Sequence, residues 1–248
     1  DVRAQLDRHL AGGETTVLCV CGFCLPKAAL TKDHPVRVCL ATSHTPANIR
    51  AADLVDGRGL LQEHRAATVE QSLKDGAMAI GEIGAGHTLG GNGQDYGLIP
   101  QAIERATGVR IRVDQARQLR WAILGKSASP AAFDPEKTER ALNAAGLSEK
   151  LTVQEAREII EKSVMPPIAE ALRGFEEAAF LSAKTGKRAV MHNSPVSVKE
   201  IARLAEKYPA AKLVAGHSNQ QDFEIEEAID WARRLRGLGV VVDISTWD

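Results

Sequence analysis

The stretch KRAVMHNSPVSVKEIARLAEKYPAAKLVAGHSN, residues 187–219, contains two short apolar runs that each end in a histidine. Arg188 to His192 reads as one buried strand and Lys212 to His217 as the next, while Val198 to Lys207 between them repeats its apolar residues at helical period. Strands joined through a helix in this way are parallel, so their C-terminal ends share one edge of the sheet. His192 and His217 are therefore expected side by side on one rim. A lone histidine at a strand end is more often a hydrogen-bonded structural residue. Two at equivalent ends of consecutive strands suit a metal site, because imidazole is the commonest metal ligand.

Upstream, Thr15 to Cys21 and Val36 to Thr42 are continuous apolar, β-branched runs, the pattern of strands covered on both faces. Residues 1–10 read as a helix that Gly12-Gly13 stops, and a second helix is expected over Gln62 to Lys74. Ala77 to Gly86 is a further buried strand that carries Glu82 near its end. A carboxylate in such a run is costly to bury unless it is paired, protonated or bound to a cation. The partner is either an ordinary lysine or arginine or a metal on the rim that holds the two histidines.

From Gly90 to Met165 the β-α rhythm breaks into helical segments: Tyr96–Thr107, Val113–Leu124, Pro135–Ala145 and Thr152–Lys162. Asp134-Pro135 and Thr152-x-x-Glu155 are helix-start signals, and Pro166-Pro167 is expected to open a new helix running to Lys184. Residues 90–165 are accordingly read as a helical insertion within one domain that spans 1–248, forming a lid, a specificity wall or an oligomer contact. His87 and Asp95 at its base are candidate substrate contacts or loop tethers. Past the second histidine, Asp222 to Leu235 reads as a helix, acidic early and basic late, and Gly239 to Thr246 as the last strand, carrying Asp243.

The chain's 248 residues, 44% hydrophobic and 25% charged, suffice for one large α/β core. A formal net charge of -1 without a long basic run argues against a nucleic-acid or anionic-membrane partner. No apolar run approaches the roughly 20 residues of a transmembrane helix, and the first residues lack a signal peptide's apolar centre, so a soluble cytoplasmic protein is expected. Four cysteines crowd the N-terminal part; Cys19, Cys21 and Cys24 could form a metal clip, but reduced buried thiols are the ordinary state in the cytosol.

Four pieces in order, Gly12-Gly-x-Thr-Thr16 entering a strand, Gly81-Glu82-Ile-Gly84 ending one, Met191-His192-Asn193 and Gly216-His217, resemble the amidohydrolase superfamily, most closely its enamidase-like and dihydroorotase-like members. The resemblance covers about residues 1–86 and 166–248. It implies a (β/α)8 TIM-type barrel of which strands 2–7 are present, with one or two divalent ions, zinc foremost and iron or manganese next. By position Glu82 would bridge the metals, and His192 and His217 would ligate the second. The family's H-x-H pair does not occur in this sequence, and no strand follows the one ending at Asp243. Counting strand ends near Cys21, Thr42, Glu82, His192, His217 and Asp243 leads to the same expectation, that the chain is the middle of a longer polypeptide. The alternative is an open sheet whose edges a partner covers.

The expected activity is metal-dependent hydrolysis of a C–N bond in an amide or cyclic amide of a small molecule, with an ester or lactone as the nearest variant. Glu82, His192 and His217 carry it, and His44, His87, Asn193 and Asp243 are candidate substrate contacts; Ser218 and Asn219 line the pocket or fix loops. A homo-oligomer is expected. The competing readings are a metal-dependent decarboxylase or deaminase, and a non-catalytic binding or assembly module.

Overall fold

The structure is a computed structural model that describes residues 2–19, 33–42, 45–56, 69–84, 94–218 and 223–244. His44, His87, Asn219, Cys21 and Cys24 lie outside the described residues. Helix α1 (Val2–Ala11) leads into β1 (Thr16–Cys19), which pairs in parallel with β2 (Arg37–Leu40). After α2 (Pro46–Asp56) and α3 (Val69–Lys74), β3 (Ala79–Ile83) begins a second parallel sheet. The helices α4 (Ile99–Thr107), α5 (Val113–Leu124), α6 (Pro135–Ala144) and α7 (Val153–Thr185) come next. Then β4 (Arg188–His192), α8 (Val198–Lys207), β5 (Lys212–Gly216), α9 (Ile225–Gly237) and β6 (Val241–Val242) complete the order β3-β4-β5-β6.

This topology overturns the expectation of a TIM-type barrel, and with it the resemblance to the amidohydrolase superfamily, which requires one closed eight-stranded sheet. The described strands form two separate parallel sheets of two and four strands. The physical reason lies at the junction. One bridge, Ala41 to Ala79, joins the sheets, with the Met78 N–H donating to the Leu40 carbonyl and the Thr42 N–H to the Ala79 carbonyl, each at 2.8 Å. There the Gly81 N–H donates to the Thr42 hydroxyl (3.2 Å) instead of a backbone carbonyl, so the ladder stops. The outer strands are half in solvent as well: Leu18 of β1 is 45% exposed and Val241 of β6 48%.

A second correction concerns Pro166 and Pro167. They do not start a helix; they lie inside α7, which runs unbroken for 33 residues. Each missing N–H removes a helical bond, and an interior proline costs about 3 kcal/mol. Burial of Val164, Pro167, Ile168, Ala171 and Phe175 along the same face offsets this, since a large apolar side chain contributes about 1.5–3 kcal/mol when buried. Helix α7 forms the centre of the core. It packs on α2, where Gly174 lets the helices approach so closely that a Cβ would stand 2.7 Å from the Asn48 amide nitrogen, and it also contacts β3, β4 and β5.

Local signals in the helical stretch hold as read. Thr152 and Glu155 form a reciprocal capping box, with the Thr152 N–H donating to Glu155 Oε2 (2.8 Å) and the Glu155 N–H to Thr152 Oγ1 (3.2 Å). The Asp134 carboxylate caps α6 by accepting from the Lys137 N–H (2.9 Å). The chain enters α4 through a π-helical turn, Gln94–Leu98. No helix among the described residues is long and apolar enough to cross a membrane.

Candidate metal centre

The β4-α8-β5 unit folds as its sequence pattern dictates. Its strands pair in register from Arg188 with Lys212 to His192 with Gly216. Helix α8 buries Val198, Ile201, Ala202, Leu204 and Ala205, its apolar stripe. His192 therefore ends β4, and His217 follows β5 by one residue at the same edge. Their rings lie 5.2 Å apart between centroids, tilted by 56°.

Glu82 reaches both. Its Oε1 lies 3.1 Å from His192 Nδ1 and 3.1 Å from His217 Nε2. Donor atoms of all three residues lie within 4.8 Å of one another, and each side chain is partly buried. The carboxyl is held below its ordinary value of 4.5. Burial is the largest influence and pushes it up; the hydrogen bond to His192 and the charges of His192 and His217 together outweigh it.

Three backbone features bring the triad together. Gly81, at φ +77°, forms the bulge that turns Glu82 towards β4; a Cβ there would stand 2.5 Å from the Ile83 nitrogen, so only glycine fits. Gly84 leaves room for His192, whose Cβ would lie 2.5 Å from a Cβ on residue 84. His217 adopts a left-handed conformation, φ +58°, uncommon for a side-chain-bearing residue and frequent where function dictates backbone geometry. Replacing Gly84 by alanine is expected to displace His192 and weaken divalent-metal binding roughly 10–100-fold, the usual cost of disturbing a ligand's support. Metal titration of the variant, alongside its circular dichroism to confirm folding, checks this.

Behind the histidines a polar bracket ties the loops. The Asn193 amide donates to Ser218 Oγ (3.1 Å), which donates to the Ala215 carbonyl (2.9 Å). Ser197 Oγ donates to the His192 carbonyl (2.8 Å). Asn193 is 1% exposed, so the structure places it in the wall of the rim; its Oδ1 meets no hydrogen-bond partner. Asp243 pairs with β5 through its backbone, accepting from the Ser218 N–H and donating to the Ala215 carbonyl, each at 2.9 Å. Its carboxylate is not among the clustered donors.

Asp95 is fully buried and is not among the clustered donors. It accepts from Arg120 Nε (2.8 Å), Arg120 Nη2 (3.3 Å) and Arg117 Nε (3.2 Å), which makes it a tether of the π-helical turn to α5. Sequence reading singled out Ser218 but missed Thr42 as an acceptor, the arginine partners of Asp95, and Ser197. Only the glycines flanking Glu82 could have signalled the bulge.

The donors fit one divalent cation. Ligands at about 2.0–2.1 Å from a tetrahedral ion lie about 3.3 Å apart; the two carboxylate–imidazole separations of 3.1 Å are within tenths of an ångström of that, and all three donors lie within 4.8 Å of one another. Among the described residues the cluster offers three ligands, the number that protein side chains supply in catalytic zinc sites. Both histidines converge on the same carboxylate oxygen, and this is the one such cluster among the described residues that could hold a divalent metal ion. No protein-family model matches the chain, and no curated protein or solved structure matches it either.

Proposed function

We propose that this chain is a metal-dependent hydrolase that cleaves a C–N bond in an amide or cyclic amide of a small molecule. The observation that carries the reading is the meeting of Glu82 Oε1 with both imidazoles at 3.1 Å on an open strand edge. A divalent ion, zinc, iron or manganese by this donor set, would supply Lewis acidity, polarising a carbonyl and bringing a water's pKa towards neutrality. The residues' part is to hold and orient. Glu82 contributes charge, His192 and His217 contribute neutral nitrogen donors, and the Asn193–Ser218 bracket keeps the two histidine loops at a fixed separation. The three side chains are 19–27% exposed, so a small substrate would meet the donors from solvent.

The test is metal analysis of purified protein followed by assay against a panel of amides, cyclic amides and esters, with chelation and metal restoration. About one equivalent of metal and chelator-sensitive release of an amine with a carboxylate support hydrolysis. Ammonia from an exocyclic amine would identify a deaminase instead, and carbon dioxide a decarboxylase. Metal content far below one equivalent, unchanged by His192→Ala and His217→Ala, would defeat the whole reading.

A further inference from the structure

An open groove between α5 and α6, lined by none of the metal-centre residues, has a volume of about 480 Å³. Its lining combines Trp121, Lys126, Lys137 and Arg140 with alanines on both helices. Lys137 and Arg140 stand three residues apart on α6 and so share a face, while Lys126 follows the turn that ends α5. The Lys126 ammonium lies 5.5 Å from the centroid of the Trp121 ring. The indole N–H of Trp121 is buried and meets no acceptor.

We propose that this groove is a second binding site, for a small organic anion that lays a flat apolar group against Trp121 and sets a phosphate or carboxylate among Lys126, Lys137 and Arg140. Three cationic side chains line it beside the Trp121 ring, so charge and a flat apolar surface are offered together. The volume exceeds what an inorganic anion fills, and the alanine walls suit an apolar body.

The cations already have carboxylate neighbours: Glu224 at 2.5 Å from Lys126, Asp134 at 3.1 Å from Lys137 and Glu136 at 3.9 Å from Arg140. None of these acids lines the groove. Glu224 and Glu136 are 77% and 87% exposed, so their pairs are weak and screened, and a ligand anion seated against the indole competes with them. Asp134 is different, because it caps α6 and stays in place.

Calorimetric titration of the full chain, with chelator present to silence the metal centre, compares phenyl phosphate, inorganic phosphate and phenol. Phenyl phosphate should bind roughly tenfold more tightly than either fragment. The double variant Lys137→Gln/Arg140→Gln should weaken it about tenfold or more, whereas Glu224→Gln, which frees Lys126, should tighten it by a factor of about two to five. These positions are on the surface, and unfolding midpoints equal to wild type confirm intact folding. Equal affinity for phenol, no binding at millimolar phenyl phosphate, or affinities that ignore all three substitutions would overturn the proposal.

Discussion

Glu82→Gln is expected to reduce divalent-metal affinity at least about 100-fold, beyond what disturbing a supporting residue usually costs, while the fold is retained. Glutamine keeps the shape and a carbonyl oxygen but removes the charge that both histidines share at 3.1 Å. Saturating metal should then raise wild-type stability, by about 2.7 kcal/mol at a hundredfold excess over Kd, and leave the variant unmoved. Thermal unfolding with and without zinc measures the difference. An equal metal-induced shift in both proteins would refute the assigned centre. In chelator a pH effect follows from the depressed carboxyl. A group with a lowered folded-state pKa stabilises above its unfolded value, here 4.5, and loses that contribution as pH falls through the folded value. Wild type should therefore lose stability more steeply than Glu82→Gln on acidification below about 4.5, and a denaturant series across that range checks it.

Asp95→Ala is expected to destabilise the protein by about 3–5 kcal/mol, the range for breaking a buried ion pair. The Arg120 side chain is fully buried, and its Nη1 already has no hydrogen-bond partner. Removing Asp95 leaves that guanidinium with no carboxylate partner among the described residues, and the π-helical turn at Gln94–Leu98 loses its tether to α5. Burial pushes the Asp95 carboxyl above its ordinary range, against the pull of Arg120 and then Arg117. The charge pair is therefore expensive to keep as well as to break. Replacing both partners by apolar residues, Asp95→Leu with Arg120→Met, should recover most of the loss, because two desolvation penalties vanish together. Denaturant unfolding of the single and double variants reads this directly. A single-variant loss below about 1 kcal/mol would place the pair among ordinary surface bridges.

The amino-acid pattern alone located the six described strands within a few residues and set the two histidines on one edge. That works because β-α-β units are local: a helix between two apolar runs leaves parallel strands with adjacent ends, whatever lies around them. The helix over Val113–Leu124 and the capping box at Thr152 were equally legible, since their signals lie within one helical turn. Glu82 stood out because a carboxylate in an apolar run demands a partner.

Tertiary packing decided the remainder. Pro166 and Pro167 are helix breakers by local chemistry, yet burial along α7 overrides them. The described strands form two sheets because the junction of β2 and β3 carries one bridge, beyond which the Gly81 N–H turns to the Thr42 hydroxyl. The arginines that hold Asp95 are 22 and 25 residues away from it, and no spacing rule announces them. Residue pattern thus singled out Glu82, His192 and His217. Only the folded chain decided that Glu82 offers a single oxygen to both imidazoles, because that depends on a backbone turned by Gly81 and on room left by Gly84.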